Sequence, residues 1–381
     1  SVAIDSLPNP AYSGKYIYVY HPSDISTKVP TIFYNHAFGG SNPAGVAGML
    51  DFVAKKGYAI VFVPYQTIGV TISNRYDNLL NGFRLAARNY TAIIDTTRVG
   101  FLGYSFGGGA AFGNSYQCFK QNNWGQNGRF IYAFAQWYSF NITQTELQSF
   151  PTDTKLLIEI CNDDAINDHR MAIDIFNNIN ISVSEKDFIL IKSDTIAGYA
   201  YNTDHGMPNT SGAFNALDYY AYYRLLDALC DYTFNGSSAG KNVALGNGSL
   251  AQITMPGGLK NLVQSDNPTV LFPESNYLYP CSDPTNLRSA YCPVLTDAED
   301  RSYSKNDLKI YPNPASSSLT IELSPDHTAE DLNIFNVFGQ LLLTDKIKNR
   351  LLINIDLTSF PQGLYFISTG ERKTKITKGI N

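Results

Sequence analysis

Between residues 16 and 234, short runs that are apolar throughout alternate with longer stretches of helical periodicity, and this alternation restricts the fold more than any other feature of the chain. The apolar runs are Tyr16–Tyr20, Thr31–Asn35, Ala59–Pro64, Val99–Tyr104, Ile131–Ala135, Leu156–Cys161 and Phe188–Ile191. Helical periodicity fills Pro43–Lys56, Tyr76–Asn89, Phe106–Lys120, Asp168–Asn178 and Ala213–Tyr232. A strand without a polar face must be covered on both sides, and strands separated by helices pair in parallel. The expected fold class is α/β, with a mostly parallel sheet between helical layers. Asn42, Pro43 and Gly57 serve the first helix as cap, first turn and stop.

The pattern then changes twice. Residues 235–300 are rich in Gly, Asn, Ser and Pro, as in "FNGSSAGKNVALGNGS", and read as an irregular extension of a first domain spanning 1–300. After a polar linker at 297–307, "LKIYPNPASSSLTIEL", "LNIFNVFGQLLLTDKI" and "LLINIDLTSFPQGLYFIST" alternate in polarity between turn residues. That predicts a second domain at 301–381, a small antiparallel β-sandwich ending in the basic residues Arg372, Lys373, Lys375 and Lys378.

A net charge of −5 over 381 residues gives no electrostatic footprint for nucleic acid. No apolar run reaches the length of a membrane helix. A chain that opens on Ser1 and not on Met is expected to have lost any export signal. Among five cysteines, Cys281 and Cys292 bracket a short turn-rich loop and can pair. Cys118, Cys161 and Cys230 fall within predicted elements, where buried thiols are expected.

The run "FLGYSFGGGAAFG" sets Ser105 between Gly103 and Gly107, where a strand turns into a helix. A nucleophile on such a strained turn needs neighbours without side chains, and the helix behind it aims its first amides at the reaction centre. A serine hydroxyl also needs a base. Of the five histidines, His327 belongs to the C-terminal module, His21 precedes the sheet core, His36 ends an early strand and His169 opens a helix. His205, in the loop "YNTDHGMPNT" after the last core strand, is the candidate base. The orienting acid is expected where Leu156–Cys161 runs out into Asn162-Asp163-Asp164, and spacing leaves Asp163 and Asp164 both open. The cluster Asp163, Asp164, Asp168 and His169 has a second reading as a cation site, without the spaced oxygen ligands of a calcium loop. An oxyanion hole needs two backbone donors. The amide of Phe106 is one, and Phe38, in the glycine-bearing loop "FYNHAFGGSNP", supplies the other; packing of His36 and Phe38 beneath that loop is the alternative.

Gly103–Gly107, the acidic turn, His205 and the His36–Gly40 loop together resemble an α/β-hydrolase of the dienelactone-hydrolase and cutinase-like neighbourhood. "ICNDDAI" is similar to the "ACENDSIAP" segment of bacterial polyester hydrolases, and "GYSFGGG" to their "GHSMGGG". That likeness places the acid at Asp164 and implies that Trp137, in "FAQWYS", lines the acyl-binding cleft; a core anchor is its structural alternative. The chain departs from those enzymes in three ways: Phe106 stands where they carry Met, the Asp-to-His segment is longer, and His205 is followed by Gly206-Met207-Pro208 and no cysteine to pair with Cys161. The C-terminal blocks resemble the type IX secretion sorting domain of the Bacteroidota, which implies export across the outer membrane through that machinery.

The resulting expectation is a secreted serine hydrolase of carboxylic esters, acting through Ser105, Asp164 and His205 with no metal or organic cofactor. Polyester cleavage, amide or peptide cleavage by the same triad, and a non-catalytic surface binding module are the alternatives. Tyr219, Tyr220, Tyr222 and Tyr223 on the last long helix are expected to serve helix packing ahead of ligand binding.

Overall fold

A computed structural model describes residues 1–209, 214–273, 277, 279, 281, 283, 286–292, 309–323, 330–336, 340–369 and 372–379. The chain divides into two compact units, Ser1–Cys292 and Pro293–Asn381.

The first unit is built on strands β1 (Val2–Pro8), β2 (Tyr16–Pro22), β3 (Val29–Asn35), β4 (Ala59–Phe62), β5 (Ile94–Tyr104), β6 (Arg129–Phe134), β7 (Lys155–Cys161) and β8 (Lys186–Ile191). A small hairpin, β9 (Asp194–Ile196) and β10 (Tyr199–Tyr201), and an edge strand, β11 (Val263–Ser265), follow. Nine strands form one sheet in the order β1-β2-β4-β3-β5-β6-β7-β8-β11. From β4 to β8 every neighbouring pair is parallel. Antiparallel pairing at β1–β2, β2–β4 and β8–β11 closes the two margins.

The helices are α1 (Ala47–Lys55), α2 (Ile72–Asn89), α3 (Phe106–Gln121), α4 (Gln144–Gln148), α5 (Arg170–Asn178), α6 (Arg224–Asn235), α7 (Ser238–Ala244) and α8 (Leu250–Ile253). Successive strand residues point to opposite faces, and the two cores divide accordingly. Phe101, Ile131 and Ile158 pack with Leu79, Phe83, Phe112 and Phe176 of α2, α3 and α5. Leu102, Tyr132 and Leu157 pack with Leu50, Val53, Leu226 and Leu229 of α1 and α6.

The ends of the predicted elements shift where local chemistry intervenes. Asn42 caps a short 3-10 turn, Pro43–Val46, through its side-chain oxygen and the Ala44 amide at 3.1 Å, and α1 begins only after it. The last long helix opens as a π-helix, Asp218–Tyr223, before α6. That wider turn buries the adjacent Tyr222 and Tyr223, while Tyr219 and Tyr220 face solvent.

The extension carries more order than its composition predicts. Its anchor is Asp187 on β8, fully buried, which accepts from Gln252 Nε2 at 2.6 Å, Gln264 Nε2 at 2.8 Å, the Asn247 amide at 3.1 Å and Asn247 Nδ2 at 3.2 Å. Donors of this number are what allow a carboxylate to sit at a buried sheet margin. Cys281 and Cys292 form a disulfide, and Cys118, Cys161 and Cys230 are buried thiols.

In the second unit, β12 (Lys309–Tyr311), β13 (Ser318–Glu322) and β16 (Leu352–Asp356) form one antiparallel sheet. β14 (Asp331–Asn336), β15 (Leu341–Lys346), β17 (Gly363–Thr369) and β18 (Arg372–Lys378) form the other. Leu319, Ile321, Ile334, Ile355, Ile367 and Ile376 share the core between them. His327, the linker at 297–307 and the side chains of Arg372, Lys373 and Lys375 lie outside the described residues.

Candidate active site

The parallel strands β3, β5 and β7 end on the same margin of the sheet, and the residues that follow them meet there. Ser105 comes directly after β5 with φ 56° and ψ −123°, a backbone state that residues with a side chain rarely adopt. The flanking glycines explain how it is reached. A Cβ on Gly107 would stand 1.9 Å from the Asn35 carbonyl oxygen, and one on Gly103 2.3 Å from the Gly107 carbonyl oxygen. Only hydrogen fits at either position. The turn is held by the Ser105 amide, which donates to Phe134 O at 3.0 Å, and by the Ser105 carbonyl, which accepts from the Trp137 amide at 2.8 Å.

Ser105 Oγ lies 2.9 Å from His205 Nε2, and His205 Nδ1 lies 2.7 Å from Asp164 Oδ2. The acceptor at Asp164 requires the proton on Nδ1, which leaves the Nε2 lone pair facing the serine hydroxyl. Asp164 is itself fixed, because its Oδ1 accepts from the amides of Ile166 at 2.9 Å and Asn167 at 3.0 Å. Of the two acids left open by spacing, Asp164 meets the imidazole, whereas Asp163 is exposed and accepts from Asn162 Nδ2. Tyr104, one residue before the serine, donates its hydroxyl to the His205 carbonyl, so β5 holds both the candidate nucleophile and the candidate base.

The other histidines among the described residues are engaged elsewhere. His36 is stacked between Tyr65 and Phe62, with ring centroids 4.0 Å and 5.2 Å away. Its Nδ1 donates to Ala37 O at 2.7 Å and its Nε2 accepts from the Tyr65 amide at 3.2 Å. Burial pushes its pKa down to about 4, so it is a neutral brace, as the packing alternative expects of His36, whereas Phe38 is exposed. His21 pairs with Asp5 at 3.0 Å. His169 accepts from the Leu271 amide at 3.2 Å and Tyr277 OH at 3.1 Å, and burial lowers its pKa to about 4.

The acidic cluster does not converge as a cation site would require. Asp168 is bound by Arg170 at 2.6 Å and 2.9 Å while Asp164 turns to His205. Among the described residues no group of three or more His, Cys, Asp or Glu is placed to hold a metal ion.

Phe106 opens α3, where the first amides have no carbonyl one turn back to bond to. Phe38 stands beside it, ring edge to ring at 6.0 Å. Phe38, Ile72, Phe106, Trp137, Phe140 and Ile166 wall a cleft of about 320 Å³, with Ser105, Asn167 and Arg75 supplying its polar atoms. Trp137 borders the cleft and is half-buried against the core, and its amide donates to the Ser105 carbonyl. Two polar residues escape sequence reading. Asn167 donates through Nδ2 to Ala135 O at 2.6 Å and lies 3.5 Å from Ser105 Oγ. Arg75 sets its guanidinium 5.1 Å from the Phe38 ring centroid and donates to Thr67 O and Val70 O at 2.5 Å and 3.1 Å. Neither carries a motif signal, since "AINDH" and "ISNRYD" have no distinctive spacing.

No curated protein matches the chain. No helix among the described residues is long and apolar enough to cross a membrane. The family model of the secretion system C-terminal sorting domain matches residues 309–380, the stretch that folds as the two small sheets. A domain of this kind marks a protein for export by type IX secretion, so the chain carries at its C-terminus the address of the cell surface or extracellular space.

Proposed function

We propose that the first unit is a serine hydrolase of the α/β-hydrolase class that cleaves carboxylic esters. The observation that carries this reading is the hydrogen-bonded series Ser105 Oγ, His205, Asp164, mounted on a serine whose φ is 56° at the head of α3. Ser105 Oγ attacks the ester carbonyl while His205 Nε2 takes its proton, and Asp164 stabilises the imidazolium. The Phe106 amide, joined by that of Phe38, receives the charge that develops on the carbonyl oxygen. Collapse of the tetrahedral intermediate expels the alkoxide, which takes the proton from His205. Water then attacks the acyl-serine with His205 again as base, and the acid is released. The cleft walls are chiefly aromatic and aliphatic, which favours an apolar acyl group over a peptide.

The test is hydrolysis of p-nitrophenyl acetate, butyrate and octanoate by the purified protein, beside Ser105→Ala and His205→Ala. Turnover by the wild type that disappears in both variants supports the reading, and the preferred chain length measures the cleft. Wild-type rates equal to buffer alone on all three esters would overturn it.

A further inference from the structure

The stretch that follows β11 contacts the end of the catalytic-acid loop and the start of α5. His169 lies five residues beyond Asp164, and its Nε2 receives both the Leu271 amide and Tyr277 OH, at 3.2 Å and 3.1 Å. Tyr277 is fixed in turn, because its oxygen accepts from the Phe272 amide at 3.1 Å. Arg170, buried and paired with Asp168, donates to Tyr279 O at 2.8 Å and lies 3.7 Å from the centroid of the Tyr277 ring. One turn further along α5, Asp174 receives Arg288 through two bonds of 2.6 Å and 2.9 Å. The Tyr279 ring meets that of Trp137 edge-on at 5.9 Å, which brings the same stretch to the wall of the cleft. The Cys281–Cys292 disulfide closes the span that contains Arg288.

The His169 contacts fall at the end of the segment that aims the acid, and those of Arg170 and Asp174 on the helix that continues it. Asp164 takes its orientation from the amides of Ile166 and Asn167, so the path of the loop between β7 and α5 decides where its second oxygen points. We propose that Leu271, Tyr277, Tyr279 and Arg288 form a clasp that positions the catalytic acid, with His169 as the tether between clasp and loop and the disulfide as its fastening. The proposal rests on the serine-hydrolase reading above. His169 is a positioning residue in this scheme: it touches neither substrate nor reacting atoms. Held neutral by burial, it presents a lone pair to both donors through the neutral pH range.

The experiment uses the full-length protein on p-nitrophenyl butyrate at 25 °C, with kcat and KM determined separately. His169→Leu removes the acceptor, whereas His169→Gln keeps one. Wild type is assayed with and without dithiothreitol, which acts on a single bond because the other three of the five cysteines are unpaired thiols. Loss of loop alignment is expected to lower kcat about ten- to a hundred-fold in His169→Leu with little change in KM. His169→Gln is expected to recover most of that loss, and reduction to lower kcat in the same direction. A merely structural tether would lower the unfolding temperature and leave kcat alone. The clasp is overturned if His169→Leu and the reduced wild type both turn over like the untreated enzyme, or if Gln rescues nothing. Should His169→Leu fail to fold by circular dichroism, the reduced wild type decides. Ser105→Ala runs in parallel: its inactivity beside an unimpaired His169→Leu and an unimpaired reduced wild type defeats the clasp alone, whereas an active Ser105→Ala defeats the serine reading and the clasp with it.

Discussion

Three side chains, after β5, after β7 and in the loop after β10, account for the proposed chemistry; they hold one another, and two backbone amides fix Asp164. Asp164→Asn keeps the shape of the acid but offers His205 a donor where it needs an acceptor. It is expected to lower kcat by about three to four orders of magnitude with a near-normal fold, and steady-state kinetics beside circular dichroism would check this. Gly107→Ala tests the turn itself, because its Cβ would collide with backbone and not with a side chain able to move aside. The expected outcome is loss of activity together with destabilisation of about 2 kcal/mol or more, read from urea unfolding. Retention of both properties would show that the turn relaxes. The serine and its glycines were legible because a strained strand-to-helix turn restricts residue type within five positions, and His205 because only five histidines had to be sorted by their place along the chain. Asp164 was separated from Asp163 only by resemblance, since neighbouring residues on a turn differ in direction and not in spacing.

Elements that bury a full period of apolar residues were legible, and those fixed by distant polar contacts were not. The parallel strands fall within two residues of their predicted limits where they are apolar on both faces, whereas β5 starts five residues before its apolar run, through the polar Asp95–Arg98. By contrast, β11, α7 and α8 span only three, seven and four residues, too few to display a helical or strand period. What seats them is Asp187, whose partners Asn247, Gln252 and Gln264 lie 60, 65 and 77 positions away. Asp187→Ala leaves those donors facing a buried void, and is expected to cost about 3 to 5 kcal/mol. Urea unfolding measures the loss, and hydrogen exchange should show β11 and α8 opening first. Protection there equal to wild type would mean that apolar packing, not the carboxylate, holds the extension.

At the scale of the whole molecule, two neutral histidines, His36 buried and His169 half-buried, give stability a direction with pH. His36 and His169 both have pKa values pushed down by burial from the ordinary 6.5 to about 4. Below pH 6.5 the unfolded chain protonates at both sites while the folded chain does not, so the unfolded state binds more protons. Stability therefore falls as pH drops from 6.5 to about 4, where the folded state begins to protonate as well. The loss is on the order of 3 kcal/mol for each histidine. Urea midpoints across that range test it, and His169→Gln should flatten the slope by about half. The division into units carries its own expectation. Since every candidate site residue precedes Cys292 and the sorting domain occupies 309–380, loss of the C-terminal domain should abolish export and leave the proposed ester hydrolysis intact. Assays of lysate and medium would separate the two effects.

The positive φ of Ser105 sets catalysis against the endurance of the fold. A side chain at φ 56° and ψ −123° costs about 1 to 3 kcal/mol, and glycine at that position pays none of it. Ser105→Gly should therefore be inert yet melt above the wild type. Selection for stability alone would erase this serine, so its survival in a lineage, or its drift to glycine, records whether hydrolysis is still being asked of the molecule.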